Sequence, residues 1–198
     1  MSRETSYRDW HIPYHCDQLT LREARASLEL LGAKQEDIPL MVQLVENPRF
    51  DLPGFDIFHG AVDIATHDCI HILLGRGLLP KDEAFVIGFT MGSTNRVTAL
   101  EEHLYALISK YLYPRAYQFR DDEIRIFKDA VRLGYISDCQ PLDTVPYAEL
   151  LDERLCDLRR RVGLEDDLLL AYYGIEQRRH PKSRASRRLL PPSPQAPA

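Results

Sequence analysis

The chain lacks most of the features that mark a specialised environment. No stretch approaches the roughly 18 uninterrupted apolar residues a membrane span needs. The longest uncharged, apolar-rich run, Ala84 to Asn95, is broken by Gly88, Gly92 and Ser93. Cysteine is sparse: Cys16, Cys69, Cys139 and Cys156 stand far apart with no C-x-x-C pair. That is the pattern of reduced thiols, not of a disulfide frame or a zinc knuckle. The opening Met-Ser-Arg-Glu-Thr has charges of both signs and no apolar core, so neither a secretory nor a mitochondrial signal is expected. Runs of alternating β-branched residues are missing, as is any strand, Gly-rich loop and helix in succession, which leaves the all-α class. No Ser-His-Asp or Cys-His nucleophile and no internal repeat is visible. These absences point to a soluble, cytoplasmic, all-α protein.

What is present is a large apolar fraction, 44% of 198 residues, enough for a core without disulfides or structural metal. The net charge of −5 is unevenly spread. From Arg178 onward there are six basic residues (Arg178, Arg179, Lys182, Arg184, Arg187, Arg188) and no acid, so that residues 1–177 carry −11. The same segment holds Pro181, Pro191, Pro192, Pro194 and Pro197. Such a composition is expected to bury too little apolar surface to offset its ordering entropy. The chain therefore reads as a single-domain helical bundle over residues 1–177 and a disordered, basic, Pro-rich tail over 178–198. The acidic body argues against nucleic acid as a partner.

Helix signals recur along the body. Thr20-Leu-Arg-Glu23 is a capping box, followed by Leu21, Ala24, Leu28 and Leu31 at helical spacing until Gly32. A short helix is expected from Glu36 to Glu46, and a strongly apolar one from Phe55 to Leu74, closed by Gly75 and Gly77. Pro80, at a first helical turn with Asp82 and Glu83 behind it, opens a helix predicted to run to Tyr113. Further helices are expected over Asp121–Leu133, Tyr147–Val162 and Glu165–Tyr173, the first two ending at Gly134 and Gly163.

The stretch that carries chemistry is Thr66-His67-Asp68-Cys69-Ile70-His71. At about 100° per residue, His71 lies some 40° round the helix from His67 and Asp68 some 100°, so three side chains can converge beside it. Two imidazoles at i and i+4 are the usual helical metal clamp. Past a Gly-x-Gly-x-x-Pro corner comes Glu83, which a helical hairpin would return to the first helix. His67, Asp68, His71 and Glu83 thus form a candidate metal site for one divalent ion, Zn²⁺ first, with Fe²⁺, Mn²⁺ or Co²⁺ also suited to the donor set. Asp63 is a candidate to fix the tautomer of His67 from behind. His59 is expected to face solvent, and His11 and His15, with Trp10 and Tyr14, to form a packed aromatic arm. The pattern is not the zinc-protease motif, in which Glu follows the first His.

His67-Asp68-x-x-His71, followed after eleven residues by Glu83, resembles the metal-binding signature of the coenzyme Q (ubiquinone) biosynthesis protein 4 family. The stretch Asp143-Thr-Val-Pro-Tyr-Ala-Glu-Leu-Leu-Asp-Glu-Arg-Leu-Cys-Asp-Leu-Arg-Arg-Arg-Val-Gly-Leu is similar to its C-terminal segment. The resemblance is to a divergent, bacterial-type member. Cys69-Ile70 stands where the family has an aromatic, and Asp82-Glu83 where it has Gly-Glu. It implies a metal held by His67, Asp68, His71 and Glu83, a hydrophobic groove for a polyprenyl chain, and a peripheral habit on the inner face of the cell membrane. It also implies a part in ubiquinone biosynthesis. That part is either (oxidative) decarboxylation and hydroxylation of a polyprenyl hydroxybenzoate or a scaffold for other proteins of the pathway. Two other readings of the residues are a metal-dependent phosphohydrolase of the HD type and a non-enzymatic scaffold binding isoprenoid lipid.

Overall fold

The computed structural model describes residues 9–30, 59–115 and 118–191, and over these the protein is all-α. Eight helices follow in order: α1 Leu21–Glu29, α2 Ile64–Leu73, α3 Pro80–Ser93, α4 Ala99–Leu107, α5 Asp121–Ile136, α6 Leu155–Val162, α7 Asp166–Arg179 and α8 Arg184–Arg187. The predicted helix Glu36–Glu46 lies outside the described residues. Among those described, no helix is long and apolar enough to cross a membrane.

Local signals account for most helix starts. Thr20 accepts the Glu23 N–H, and the Glu23 carboxylate takes the Thr20 N–H at 2.8 Å, closing the capping box of α1. The Asp63 carboxylate accepts the Thr66 N–H at 2.8 Å and so starts α2 at Ile64; residues 59–63 before it are not helical, and residues 55–58 of the expected Phe55–Leu74 helix lie outside the described residues. The predicted Pro80–Tyr113 helix is broken after Ser93. Asn95 turns left-handed at φ 54°, and Thr98 forms a second capping box with Glu101 that starts α4. A π-helical turn, Ile108–Leu112, continues α4. The predicted Tyr147–Val162 helix resolves into a 3₁₀ turn at Tyr147–Glu149 and α6, which Gly163 ends as expected at φ 77°.

α3 is buried over most of its surface, with Ala84, Phe85, Val86, Gly88, Phe89 and Met91 almost inaccessible and Glu83 and Ile87 partly exposed along one side. It crosses α5 with the two backbones in contact. A Cβ on Gly88 would lie 2.4 Å from Phe127 O, on Gly92 2.1 Å from Val131 O, and on Gly134 2.3 Å from Phe89 O. Gly134 is therefore a packing glycine, and α5 runs on through it to Ile136. α4 is the reverse case. Leu100, Leu104, Leu107 and Tyr111, spaced to share one face, are exposed to solvent, as is Leu112.

The reading of residues 178–198 as a disordered tail is corrected over 178–191. α7 continues to Arg179, and α8 buries Ala185 and Ser186, with Leu189 buried just after it. The physical reason is charge pairing at the base of α3. Arg76, completely buried, donates to both oxygens of Glu176 at 3.2 and 2.8 Å and stacks on Phe85 and Tyr173. Ser186 Oγ donates to Glu176, and Arg188 Nη2 to the buried Asp82. The basic segment matches acids that the body would otherwise bury with fewer partners.

Candidate metal centre

α2 carries His67 and His71 one turn apart, and α3 returns Glu83 to them in its first turn. The corner between the helices is rigidly held. Gly75 adopts φ +61° with Tyr14 packed so closely that a Cβ would sit 2.7 Å from it. The carbonyls at the end of α2 are met by side chains from outside the helix. Arg159, itself buried, donates from Nε to Leu73 O at 2.8 Å and from Nη2 to Ile72 O at 3.3 Å. The Tyr173 hydroxyl donates to Leu74 O at 2.5 Å, and His11 Nε2 to Gly75 O at 3.0 Å. Trp10 and Tyr14 are buried beside it and His11 is half-buried, while His15, expected to pack with them, is exposed.

The two Nε2 atoms of His67 and His71 are 2.8 Å apart, and Glu83 Oε2 is 3.2 Å from each. In a tetrahedral shell with bonds of about 2.0–2.1 Å, donor atoms stand about 3.3–3.4 Å apart, so this trio is nearly spaced for an ion. The His71 side chain is 0% exposed, while Glu83 is 32% exposed, so the cluster is closed behind His71 and open towards solvent at Glu83. His71 Nδ1 is buried without a hydrogen-bond partner. Packing and the cluster itself hold that ring.

The electrostatics separate the two acids. Burial opposes ionisation of Glu83, but the imidazoles of His71 and His67 outweigh it and hold the carboxyl well below the usual range. Burial raises the Asp68 carboxyl, against the pull of His67 and His71 and with the help of Glu83. Glu83 is thus a carboxylate, and Asp68 holds a proton more readily than an ordinary aspartate.

Among the described residues, the group whose ligand atoms converge within 4.8 Å is His67, His71 and Glu83. Asp68 lies beside this group without joining it. Its side chain leaves the helix about 100° round from His67, so it points away from the direction the two imidazoles share. Asp63 serves α2 as its N-cap. His59, expected to face solvent, is half-buried with Nδ1 2.6 Å from Glu101 Oε1. Cys69 is buried core, its thiol pushed up to about 12 by burial. Sequence reasoning missed Arg159, Tyr173 and Arg76, which hold the corner. The one available signal was the Gly-x-Gly corner itself, which leaves carbonyls in need of donors.

Two imidazole nitrogens and one carboxylate oxygen suit Zn²⁺, Fe²⁺, Mn²⁺ or Co²⁺, and a His₂Glu set with a free position is the arrangement of catalytic zinc. Comparison of the chain with protein-family models, with curated proteins and with solved structures finds no match.

Proposed function

We propose that the protein binds one divalent metal through His67, His71 and Glu83 and acts on a polyprenylated phenolic lipid. This is the activity implied by its resemblance to the ubiquinone biosynthesis family. The observation that carries the reading is the convergence of three ligand atoms from two helices at near-tetrahedral spacing, on the open side of a buried histidine. Three protein ligands leave a position for substrate, which favours an enzyme over a closed structural site. A divalent ion there supplies an electrophile that polarises a phenolate or carboxylate oxygen. The exposed apolar row Leu100, Leu104, Leu107 and Tyr111 supports a hydrocarbon tail lying along α4, because α3 offers no free apolar face.

The test is metal analysis followed by ligand titration. Purified protein is expected to hold about one transition metal per chain, and a His67→Ala, His71→Ala double variant almost none. Prenylated hydroxybenzoate should bind more tightly than the unprenylated head group, by up to about 0.8 kcal/mol per buried methylene. Equal metal content in both proteins would remove the centre. Indifference to prenylation would remove the lipid, and release of phosphate from nucleotides would favour the phosphohydrolase.

A further inference from the structure

The basic segment at the end of the chain has no part in that reading. Folded back, it borders a cavity of about 440 Å³, wide open to solvent and lined by Arg184, Arg187, Arg188, Asp9 and His11. Its charges do not balance. Arg184 pairs with Asp9, and Arg188 with Asp82. Behind them Arg76 pairs with Glu176 and, at 3.9 Å, with Asp82. Among the described residues, four guanidinium groups share three carboxylates, and Arg187, exposed at the cavity wall, is in no ion pair. Hydrogen bonding is incomplete as well: Arg188 Nε and Arg76 Nε are buried without an acceptor and Asp82 Oδ1 without a donor. What the lining offers a ligand is positive charge in excess of the carboxylates around it. Guanidinium forks match the oxygens of phosphate in pairs, which a single halide cannot do.

We propose that the cavity between His11 and the Arg184–Arg188 segment binds a phosphate group, with Arg187 as its principal cation. The group is either free inorganic phosphate or a phosphomonoester presented by a lipid headgroup. The site is independent of the metal cluster, although its floor is the same corner. Gly77 lies so close to Arg188 that no side chain would fit between them.

Arg187 makes a clean probe. Only its backbone N–H and carbonyl are hydrogen-bonded, to Ser183 and Gln177, so Arg187→Ala should leave the fold intact. Trp10, the one tryptophan of the chain, stands between the lining residues Asp9 and His11 and reports on the cavity by its emission. The full chain is titrated with inorganic phosphate against chloride at equal ionic strength. In parallel it is titrated with phosphatidylcholine vesicles with and without phosphatidic acid. Binding is followed by calorimetry and located by Trp10. The expected result is saturable binding of phosphate, weakened about tenfold or more in Arg187→Ala through loss of one charge-assisted contact. Binding of phosphatidic acid vesicles alone, with the same loss in the variant, assigns the phosphate to lipid. Three results overturn the site: no binding in either arm, equal binding of chloride or undoped vesicles, and undiminished binding by Arg187→Ala.

Discussion

Gly134→Ala adds one methyl group to a helix interior, where by propensity alone it should stabilise by up to about 1 kcal/mol. The structure reverses that sign. The new Cβ would lie 2.3 Å from Phe89 O, 2.8 Å from Ser93 N and 3.0 Å from Gly92 C, all backbone atoms of α3. No rotamer change relieves contacts with main chain, so α3 and α5 must part, and a gap of roughly 0.5–1 Å forfeits a quarter to a half of each dispersion contact it opens. The contacts at stake lie between the buried residues of the two helices, among them Phe85 and Phe89 of α3 and Phe127, Ala130 and Val131 of α5. Overpacking of this kind costs typically about 1–3 kcal/mol, here at the upper end because the obstruction is rigid. After the propensity gain, the net loss should be about 2 kcal/mol, read as a lower urea midpoint at unchanged slope and a Tm lower by roughly 4–8 °C. Gly174→Ala in α7 is the internal control. Its Cβ would meet only the ends of Arg178 and Leu190 side chains, at 3.4 and 3.8 Å, so it should stabilise by about 0.5–1 kcal/mol. If both variants shift the midpoint in the same direction, the close crossing is not what sets the distance between these helices.

Ending the chain after Ser183 should lower stability by about 3 kcal/mol or more. It exposes the buried sites of Ala185 and Leu189 and takes Arg188 from Asp82 and Ser186 from Glu176. Thermal unfolding identical to that of the full chain would refute the docked tail. A pH effect should follow from His11, held to about 4 chiefly by burial and secondly by the charge of Arg188. Its folded value lies below the unfolded 6.5, so the unfolded state binds more protons in this window. Stability is then lost as pH falls from about 6.5 towards 4, by at most roughly 3 kcal/mol. Urea unfolding of His11→Gln, which can still donate to Gly75 O, should show a smaller loss between pH 7 and 5 than the parent protein, and equal losses would count against this. Arg159→Met removes the donors to Ile72 and Leu73 while keeping the stem. It should lower metal affinity at least about tenfold, as other supports of metal ligands do, and unchanged affinity would mean that the corner holds without it.

The helical class, the capping box at Thr20, the Gly163 terminus and the shared face of His67 and His71 were all readable in the chain. Each depends on groups within about four residues of one another, whose relation the helix period sets before anything packs. The hairpin that returns Glu83 could be expected from Gly75, Gly77 and Pro80 for the same reason. Periodicity could not tell a glycine that ends a helix from one that lets another backbone approach. Gly134 is the second kind only because α3 lies against it. Nor could composition show that six basic residues would fold. Arg188 and Ser186 find their partners at Asp82 and Glu176, and that match exists only once α3 and α7 have placed those acids in a dry interior. At the metal centre the same division holds. Spacing brought four candidate ligands into one neighbourhood, but which atoms meet depends on how α2 and α3 pack at their corner. That packing joins His67, His71 and Glu83 and leaves Asp68 at the side.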